Sequence, residues 1–344
     1  MPTMTRAHSR PPSSRSGRPT IAAVAQRAGV SIATVSRVVN GVANKASAET
    51  IARVNAAIRD LDYRPESAGR TLRIGQSRLV AVLAANLANP TMAAIAATVE
   101  MALRERGLVM LLCDTHDRPE LQDEYLLEMR AHRAHVTVLL GAVASPGLDA
   151  ARPRGDRLLF VNRLAPGDPQ APFVGIDNKG AAVEVAEALV RRVSGPLALL
   201  HGSPWSSATG MRIEGFVERT RALGRAIIDA HIFGGTGDHL EIGYRGAEAL
   251  LASAPRPAGI FCTSDLMAYG AHRRLSDAGL QVPQDVVVFG FDDNPLNDWI
   301  APWLSSVRVP YADFGPAIAD AVQALSLDHA SPVRTILRHQ LVQR

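Results

Sequence analysis

The sequence predicts an α/β chain: a small three-helix head holding a helix-turn-helix, followed by two lobes of parallel, doubly wound sheet. Three observations predict it. Residues 20–61 carry apolar positions at helical spacing, interrupted by a glycine turn. From Leu79 onward, short apolar runs alternate with helical stretches, and the scheme occurs twice. The charge is lopsided as well. Residues 1–75 hold twelve Lys/Arg against four Asp/Glu, a balance of +8, whereas the remainder holds 25 against 29, or −4. A basic head on a mildly acidic body points to a polyanion partner for the head alone.

A chain of 344 residues is long enough for two or three cores. Residues 1–19, rich in Pro, Ser and Arg, read as a disordered basic tail. Thr20 is a candidate N-cap for a helix whose apolar face is Ile21, Val24, Ala25 and Ala28. Gly29 stands where a sharp turn needs positive φ. Ser31 then opens a second helix, SIATVSRVVN, in which Val35, Val38 and Val39 fall at i, i+3 and i+4 and face a core. Its other side carries Thr34, Ser36, Arg37 and Asn40, and Ile32 and Ala33 stand in its first turn. An apolar back with a short, polar, basic front suits a major groove: Arg37 and Asn40 for phosphates or base edges, Ile32 and Ala33 for apolar contact such as a thymine methyl. A third helix begins at Ser47–Thr50 and runs to about Leu61, with Ile51, Val54, Ile58 and Leu61 closing the small core. The helix-turn-helix domain is therefore expected over 20–63. A hinge or linker follows over 64–77, in which Pro65 suits a first helical turn, Ala68 and Leu72 share a face, and Arg70 and Arg73 flank it.

In the body, strands are expected at 79–84, 108–113, 136–140, 158–161 and 173–176, then at 197–201, near 226–233, at 258–262 and at 286–290. Helices are expected over 92–106, 120–133, 211–223, 242–252 and 266–278. Continuous apolar strands alternating with helices mean parallel sheets and right-handed crossovers, hence two doubly wound lobes with a cleft between them.

Several chemistries are set aside. Cys113 and Cys262 lie in apolar runs and read as buried thiols of a reducing compartment. No apolar run reaches the roughly 18 residues a membrane span needs, and the N-terminus lacks a secretory h-region, so a cytoplasmic protein is expected. Gly234, Gly235 and Gly237 lack the Lys-Ser/Thr of a phosphate loop. His132 and His135 have no third ligand nearby, and Ser203 and Ser206 lack a GxSxG elbow. No nucleophile, base and orienter assemble, so neither an enzyme nor a cofactor nor a metal is expected.

The run from Thr20 to Gln76 resembles the DNA-binding head and hinge of the lactose/galactose repressor (LacI/GalR) family. The residues that carry this are AQRAGVSIATVSRVVN, LDYRPES, Arg70 and Leu72. The resemblance extends through NLANP, VGIDN, MRIEGF, TSDLMAYGA, VPQDVVVFGFDD and APWLSSVRVP. It implies a body of the periplasmic sugar-binding-protein type, crossed three times by the chain, with Tyr311–Leu327 returning to the first lobe. Lobe one is then about 78–176 with 308–327, and lobe two 177–305 with 328–344. The resemblance also implies that the second helix reads the major groove, and that paired hinge helices push Leu72 into the minor groove and kink it. Glu66 and Gly69 replace a usual asparagine and alanine. The glycine costs a helix roughly 0.5–1 kcal/mol, so the hinge is expected to fold only with DNA and a partner subunit present.

Ligands of open parallel sheets bind beyond the carboxyl ends of the strands. The residues there include Asn86, Asn89, Thr91, Asn162, Arg163, His201 to Ser206, Thr263 to Asp265 and Phe291 to Asp293. By resemblance, Arg212 grips a hydroxyl or carboxylate, Asp292 accepts from hydroxyls, and Arg163 is a lobe-one contact. The expected effector set is Asn89, Thr91, Asn162, Arg163, Arg212, Asp238, Ser264 and Asp292. Thr91-Met92 replaces a frequent aromatic pair, leaving Trp205 or Phe291 as substitute stacking platforms. Asp265 and Asp293 are equally readable as caps of the helices that follow them, and Trp299 and Trp303 as linker packing. The expected protein is a transcriptional regulator, a repressor acting as a homodimer on a pseudo-palindromic operator under a sugar or sugar-acid effector. The alternative is a sugar-binding receptor-type module without a regulatory role. The chain shows no leucine-heptad tail, which points away from a tetramerising coiled coil.

Overall fold

A computed structural model describes residues 19–39, 46–63, 77–327 and 333–344, and divides into a head unit and a body unit at Gln76/Ser77. The expected tail, the hinge residues Ala68, Arg70, Leu72 and Arg73, and Asn40 lie outside the described residues.

In the head, α1 (Ile21–Ala28), α2 (Ile32–Val39) and α3 (Ala48–Asp60) enclose a core of Val24, Ala25, Ala28, Val35, Val54 and Ala57. Each helix start is capped by the side chain its sequence offers. Thr20 accepts from the Ala23 N–H, Ser31 from the Thr34 N–H at 3.2 Å, and Ser47 from the Thr50 N–H. Gly29 adopts φ +66°, and the following Val30 N–H reaches back to the Ala25 carbonyl, closing α1 and aiming α2. Ser31→Ala should lower the head's stability by about 1 kcal/mol, read as a small drop in the urea midpoint of an isolated 19–63 fragment or, if that fragment does not fold alone, of the full chain.

The body holds two six-stranded sheets among the described residues. The first lobe is built from β1 (Leu79–Ala84), α4 (Pro90–Glu105), β2 (Val109–Asp114), α5 (Pro119–Ala131), β3 (Val136–Leu140), α6 (Pro146–Ala151), β4 (Leu158–Val161) and β5 (Phe173–Ile176). Proline at the first helical position starts α4, α5 and α6, where its missing N–H costs nothing. The second lobe runs α7 (Asn178–Arg192), β6 (Leu197–His201), α8 (Ser207–Ala222), β7 (Ile232–Gly234), α9 (His239–Ala252), β8 (Gly259–Cys262), α10 (Asp265–Asp277), β9 (Val287–Asp292), the short α11 (Asn297–Ile300) and β10 (Ser305–Arg308). The chain then returns through α12 (Tyr311–Ser326) and ends in β11 (Arg334–Leu337) and β12 (Gln340–Val342).

The first sheet has the order β11-β5-β4-β3-β1-β2 and is parallel throughout; the second, β12-β10-β9-β8-β6-β7, is parallel except where β12 runs against β10. The inner strands are buried along their whole length, which is why they read as unbroken apolar runs. Three crossings join the lobes among the described residues, at 176–178, 308–311 and 337–340. The assignment of 328–344 to the second lobe needs correction: β11 pairs with β5 in the first sheet, and only β12 joins the second. The expected strand near 226–233 shrinks to three residues, because Asp229–His231 forms a 3₁₀ turn with His231 anchored to the Pro255 carbonyl. α12 packs on α4 with a close approach at Gly315. A Cβ on Gly315 would stand 2.3 Å from the Thr98 carbonyl oxygen.

Candidate functional site

The front of α2 presents Ile32, 52% exposed, together with exposed Ala33 and Arg37, and Val35 is fully buried behind them. Thr34 is half-buried, its hydroxyl 2.9 Å from that of Ser31, and Thr20 is exposed at the cap of α1. Ser36 departs from the expected polar front, since it is buried. At 100° per residue it follows Val35 and lies one turn before Val39, on the rim of the core stripe.

In the body, the carboxyl ends of the strands and the starts of the following helices bring Arg212, Asp292, His239, Thr91 and Arg163 into one electrostatic neighbourhood. Arg212, on α8, is almost wholly buried. Its Nε donates to Asn178 Oδ1 at 2.8 Å, one terminal nitrogen donates to the Thr263 carbonyl at 2.7 Å, and the guanidinium lies 3.5 Å from the Phe291 ring centroid. The same nitrogen stands 3.9 Å from Asp292 Oδ1. Burial pushes the Arg212 pKa down to about 10, with Asp292 opposing, so the group stays cationic at neutral pH. Asp292 closes β9 at φ +116°, a backbone region few non-glycine residues occupy. Burial raises its pKa, partly offset by Arg212 and by the nearby Thr91 hydroxyl.

Arg163 follows β4 and forms a two-point pair with Asp117, one contact at 3.2 Å. His239, at the start of α9, shares a 2.9 Å hydrogen bond between Nδ1 and Ser264 Oγ. Burial, and then the nearby cations Arg212 and Arg163, hold its pKa below the ordinary histidine value, so the imidazole is neutral at pH 7. This residue was not in the expected set. Its only signal was its place at the start of the helix that follows the short β7, with four residues between it and that strand.

The remaining expected residues divide. Ser264 is buried, caps α10 through the Met267 N–H and faces His239. Asn89 caps α4, its side-chain oxygen taken by the Thr91 N–H at 2.9 Å. Asp238 is exposed and caps α9 through the Leu240 N–H at 2.8 Å. Asn162 is half-buried at φ +67°.

Phe291 is fully buried beneath Arg212, so it cannot serve as a stacking platform. Trp205, 92% exposed, keeps a free face. Asp265 and Asp293 do not cap the helices that follow them, since Ser264 caps α10 and no side chain caps α11. Asp265 instead fastens the loop after β9 through Ser306, the Asn294 N–H and Asn297. Asp293 pairs with Arg308 at 2.6 Å and Arg344 at 2.8 Å. Trp303 packs in the second lobe and stacks on His272, but Trp299 is 83% exposed rather than packed.

A positive fork, a carboxyl group, a neutral imidazole and hydroxyls in one electrostatic neighbourhood supply the donors and acceptors that grip a small hydroxylated molecule. Among the described residues no group of three His, Cys, Asp or Glu could hold a metal, and no helix is long and apolar enough to cross a membrane. The site also predicts a pH effect. Burial, and in Asp265 the Asp292 charge, raise both carboxyl pKa values, so the folded chain keeps protons that the unfolded chain gives up above about pH 4. That stability is full below the ordinary carboxylate value and is lost as pH rises through the elevated ones. His239 works in the opposite sense, its stability being lost as pH falls through its lowered value. Asp292→Asn should therefore flatten the fall of melting temperature between about pH 5 and 7.5. An unchanged slope in a pH series of thermal melts would contradict the assignment.

A three-helix reader joined in one chain to two doubly wound lobes defines a DNA-binding regulator of the kind that carries a ligand-binding body. Residues 20–66 match the description "Bacterial regulatory proteins, lacI family", and residues 190–344 match "Periplasmic binding protein-like domain". The HTH-type transcriptional regulator GntR of Pseudomonas aeruginosa is 31% identical over 313 residues, 90% of each chain. The HTH-type transcriptional repressor PurR of Serratia proteamaculans is 29% identical over 86% of this chain and 87% of its own. A crystal structure of the lac repressor dimer bound to operator and the anti-inducer ONPF superposes with TM-score 0.84 at 24% identity, covering 95% and 98% of the two chains. That likeness bears on the fold. The chain belongs to the lacI family of transcriptional regulators and is not an enzyme.

Proposed function

We propose that this regulator is a repressor that works in the cytoplasm as a homodimer on a pseudo-palindromic operator. Each head reads one half-site with the exposed front of α2: Ile32 and Ala33 set sequence preference, and Arg37 holds phosphate or base edge. The segment 64–77 acts as the hinge, with Ala68, Arg70, Leu72 and Arg73 at the minor groove, and Asn40 joins Arg37 at phosphate or base edge. A sugar or sugar acid binds between the lobes, touched by Arg163, Arg212, His239, Ser264 and Asp292.

The observation that carries this reading is the Arg212–Asp292 pair at 3.9 Å. A buried pair of opposite charges adds little to stability over apolar packing, so its use is to be sought in recognition. The homodimer has support of its own. Met101, Val109 and Leu111 on the first lobe, and Tyr244, Trp299 and Ile300 on the second, expose large apolar side chains. The related lac repressor structure is described as a dimer on operator.

The test is a thermal-shift screen of the full chain against sugars, sugar acids and nucleosides, beside enrichment of bound duplexes from a random pool. The reading expects a stabilising ligand of the first two classes and an enriched sequence with two-fold symmetry. A protein that enriches no duplex at low salt contradicts it.

A further inference from the structure

Tyr311 stands at the second crossing between the lobes, the first residue of α12. Its position is fixed by α4 of the first lobe: its carbonyl accepts from Thr98 Oγ1 at 3.2 Å, and the close approach of Gly315 to Thr98 seats the helix. Its hydroxyl donates to the Asp292 carbonyl oxygen at 2.9 Å, an acceptor already bound by the Val309 N–H at 3.1 Å. The phenol proton is thereby committed to the second lobe. The same phenol oxygen lies 3.3 Å from Thr91 Oγ1, on α4 of the first lobe, so the threonine hydroxyl is the donor there. The Thr91 hydroxyl also lies near enough to the Asp292 carboxyl to favour its charged form. Two hydroxyls of the first lobe thus reach the one residue of the second whose backbone sits at φ +116° and whose side chain faces Arg212. A second link spans the lobes: the Leu164 N–H, in the loop after β4, donates to Ser207 Oγ at the start of α8 at 2.8 Å.

We infer that Tyr311 is a positioning residue: its hydroxyl and that of Thr91 form a relay that holds Asp292 in its strained conformation and ties the orientation of that carboxyl to closure of the lobes. The inference rests on the effector reading of the cleft and supplies its regulation. Opening the lobes draws Tyr311, held with Thr91 in the first lobe, off the Asp292 carbonyl and releases the backbone constraint on Asp292, so the cleft cannot open without misplacing its own acceptor. A ligand that needs Asp292 aimed at Arg212 therefore selects the closed arrangement.

The relay is tested in the full-length protein, without any ligand, by hydrogen–deuterium exchange. Tyr311→Phe and Thr91→Val each remove one hydroxyl and keep the side-chain shape; Ser207→Ala removes the distant link and marks the rim signal. The relay predicts that exchange in the peptide containing Leu164 accelerates by about two- to tenfold in both hydroxyl variants, the size of one net hydrogen bond, although neither residue touches Leu164. It also predicts that the double variant accelerates no further than either single one, since the two hydroxyls act as a unit. Acceleration confined to peptides around residue 311, with the Leu164 peptide unmoved, overturns the relay, as does full additivity. Failure of the effector reading looks different: the Leu164 peptide responds as predicted, yet no small molecule binds the cleft.

Discussion

Replacing Arg212 with alanine is expected to abolish the effector response and leave operator affinity intact. The guanidinium is held by Asn178, by the Thr263 carbonyl and by the face of Phe291, so its fork is aimed before any ligand arrives. Hydrogen bonds from a charged donor contribute about 1.5–3 kcal/mol each, so losing a two-point grip should weaken ligand binding by about 100-fold or more. The substitution also strands Asp292 without its cation, and breaking a buried pair from one side costs about 3–5 kcal/mol of stability. Arg212→Lys separates the two effects. It keeps a charge near Asp292 but loses the planar fork, so it should melt closer to the parent and still bind ligand poorly. Calorimetric titration of a ligand found by thermal shift, beside operator binding by fluorescence anisotropy, reads both quantities. A normal response in Arg212→Ala would place the ligand elsewhere.

The second large effect is expected at the other end of the chain. Arg37→Ala should weaken operator binding by roughly tenfold to a hundredfold. If Arg37 holds a phosphate, the slope of log affinity against log salt should fall by about one; if it reads a base edge, preference at one operator position should relax. The residue is exposed on α2, while Val35 on the opposite side carries the packing, so the head should remain folded. Circular dichroism of the variant checks this, and unchanged affinity and salt dependence in a gel shift would remove α2 from the groove.

The parts of the fold that could be read from residues alone are those whose physics is local. β1, β3, β4, β5 and β6 were delimited to the residue by their apolar runs, because strands covered on both faces have no polar alternation to blur them. Ser31 and Gly29 announced the turn between α1 and α2 through side-chain capping and positive φ. The helix over Asn178–Arg192 escaped notice because much of its buried face is alanine (Ala181, Ala182, Ala186, Ala188), which gives a weak apolar signal. The placement of β11 depends on pairing with a strand some 160 residues earlier, which no window of sequence reports.

At the site, strand ends and family resemblance singled out Arg212 and Asp292. Neither could tell that Phe291 points inward under the arginine, since the face a strand-end residue takes depends on what the next lobe packs against it. His239 was overlooked because β7 is only three residues long and the strand-end rule had no clear strand to follow.

The central claim is that occupancy of the cleft alters the grip of the head on DNA. It is tested most directly by titrating the full-length protein onto an enriched duplex, by fluorescence anisotropy, with and without a ligand shown to bind the parent protein but not Arg212→Ala. The account predicts a change in Kd of at least about tenfold, in one direction, that disappears in Arg212→Ala. A ligand that occupies the cleft tightly and leaves the operator Kd unchanged would contradict it.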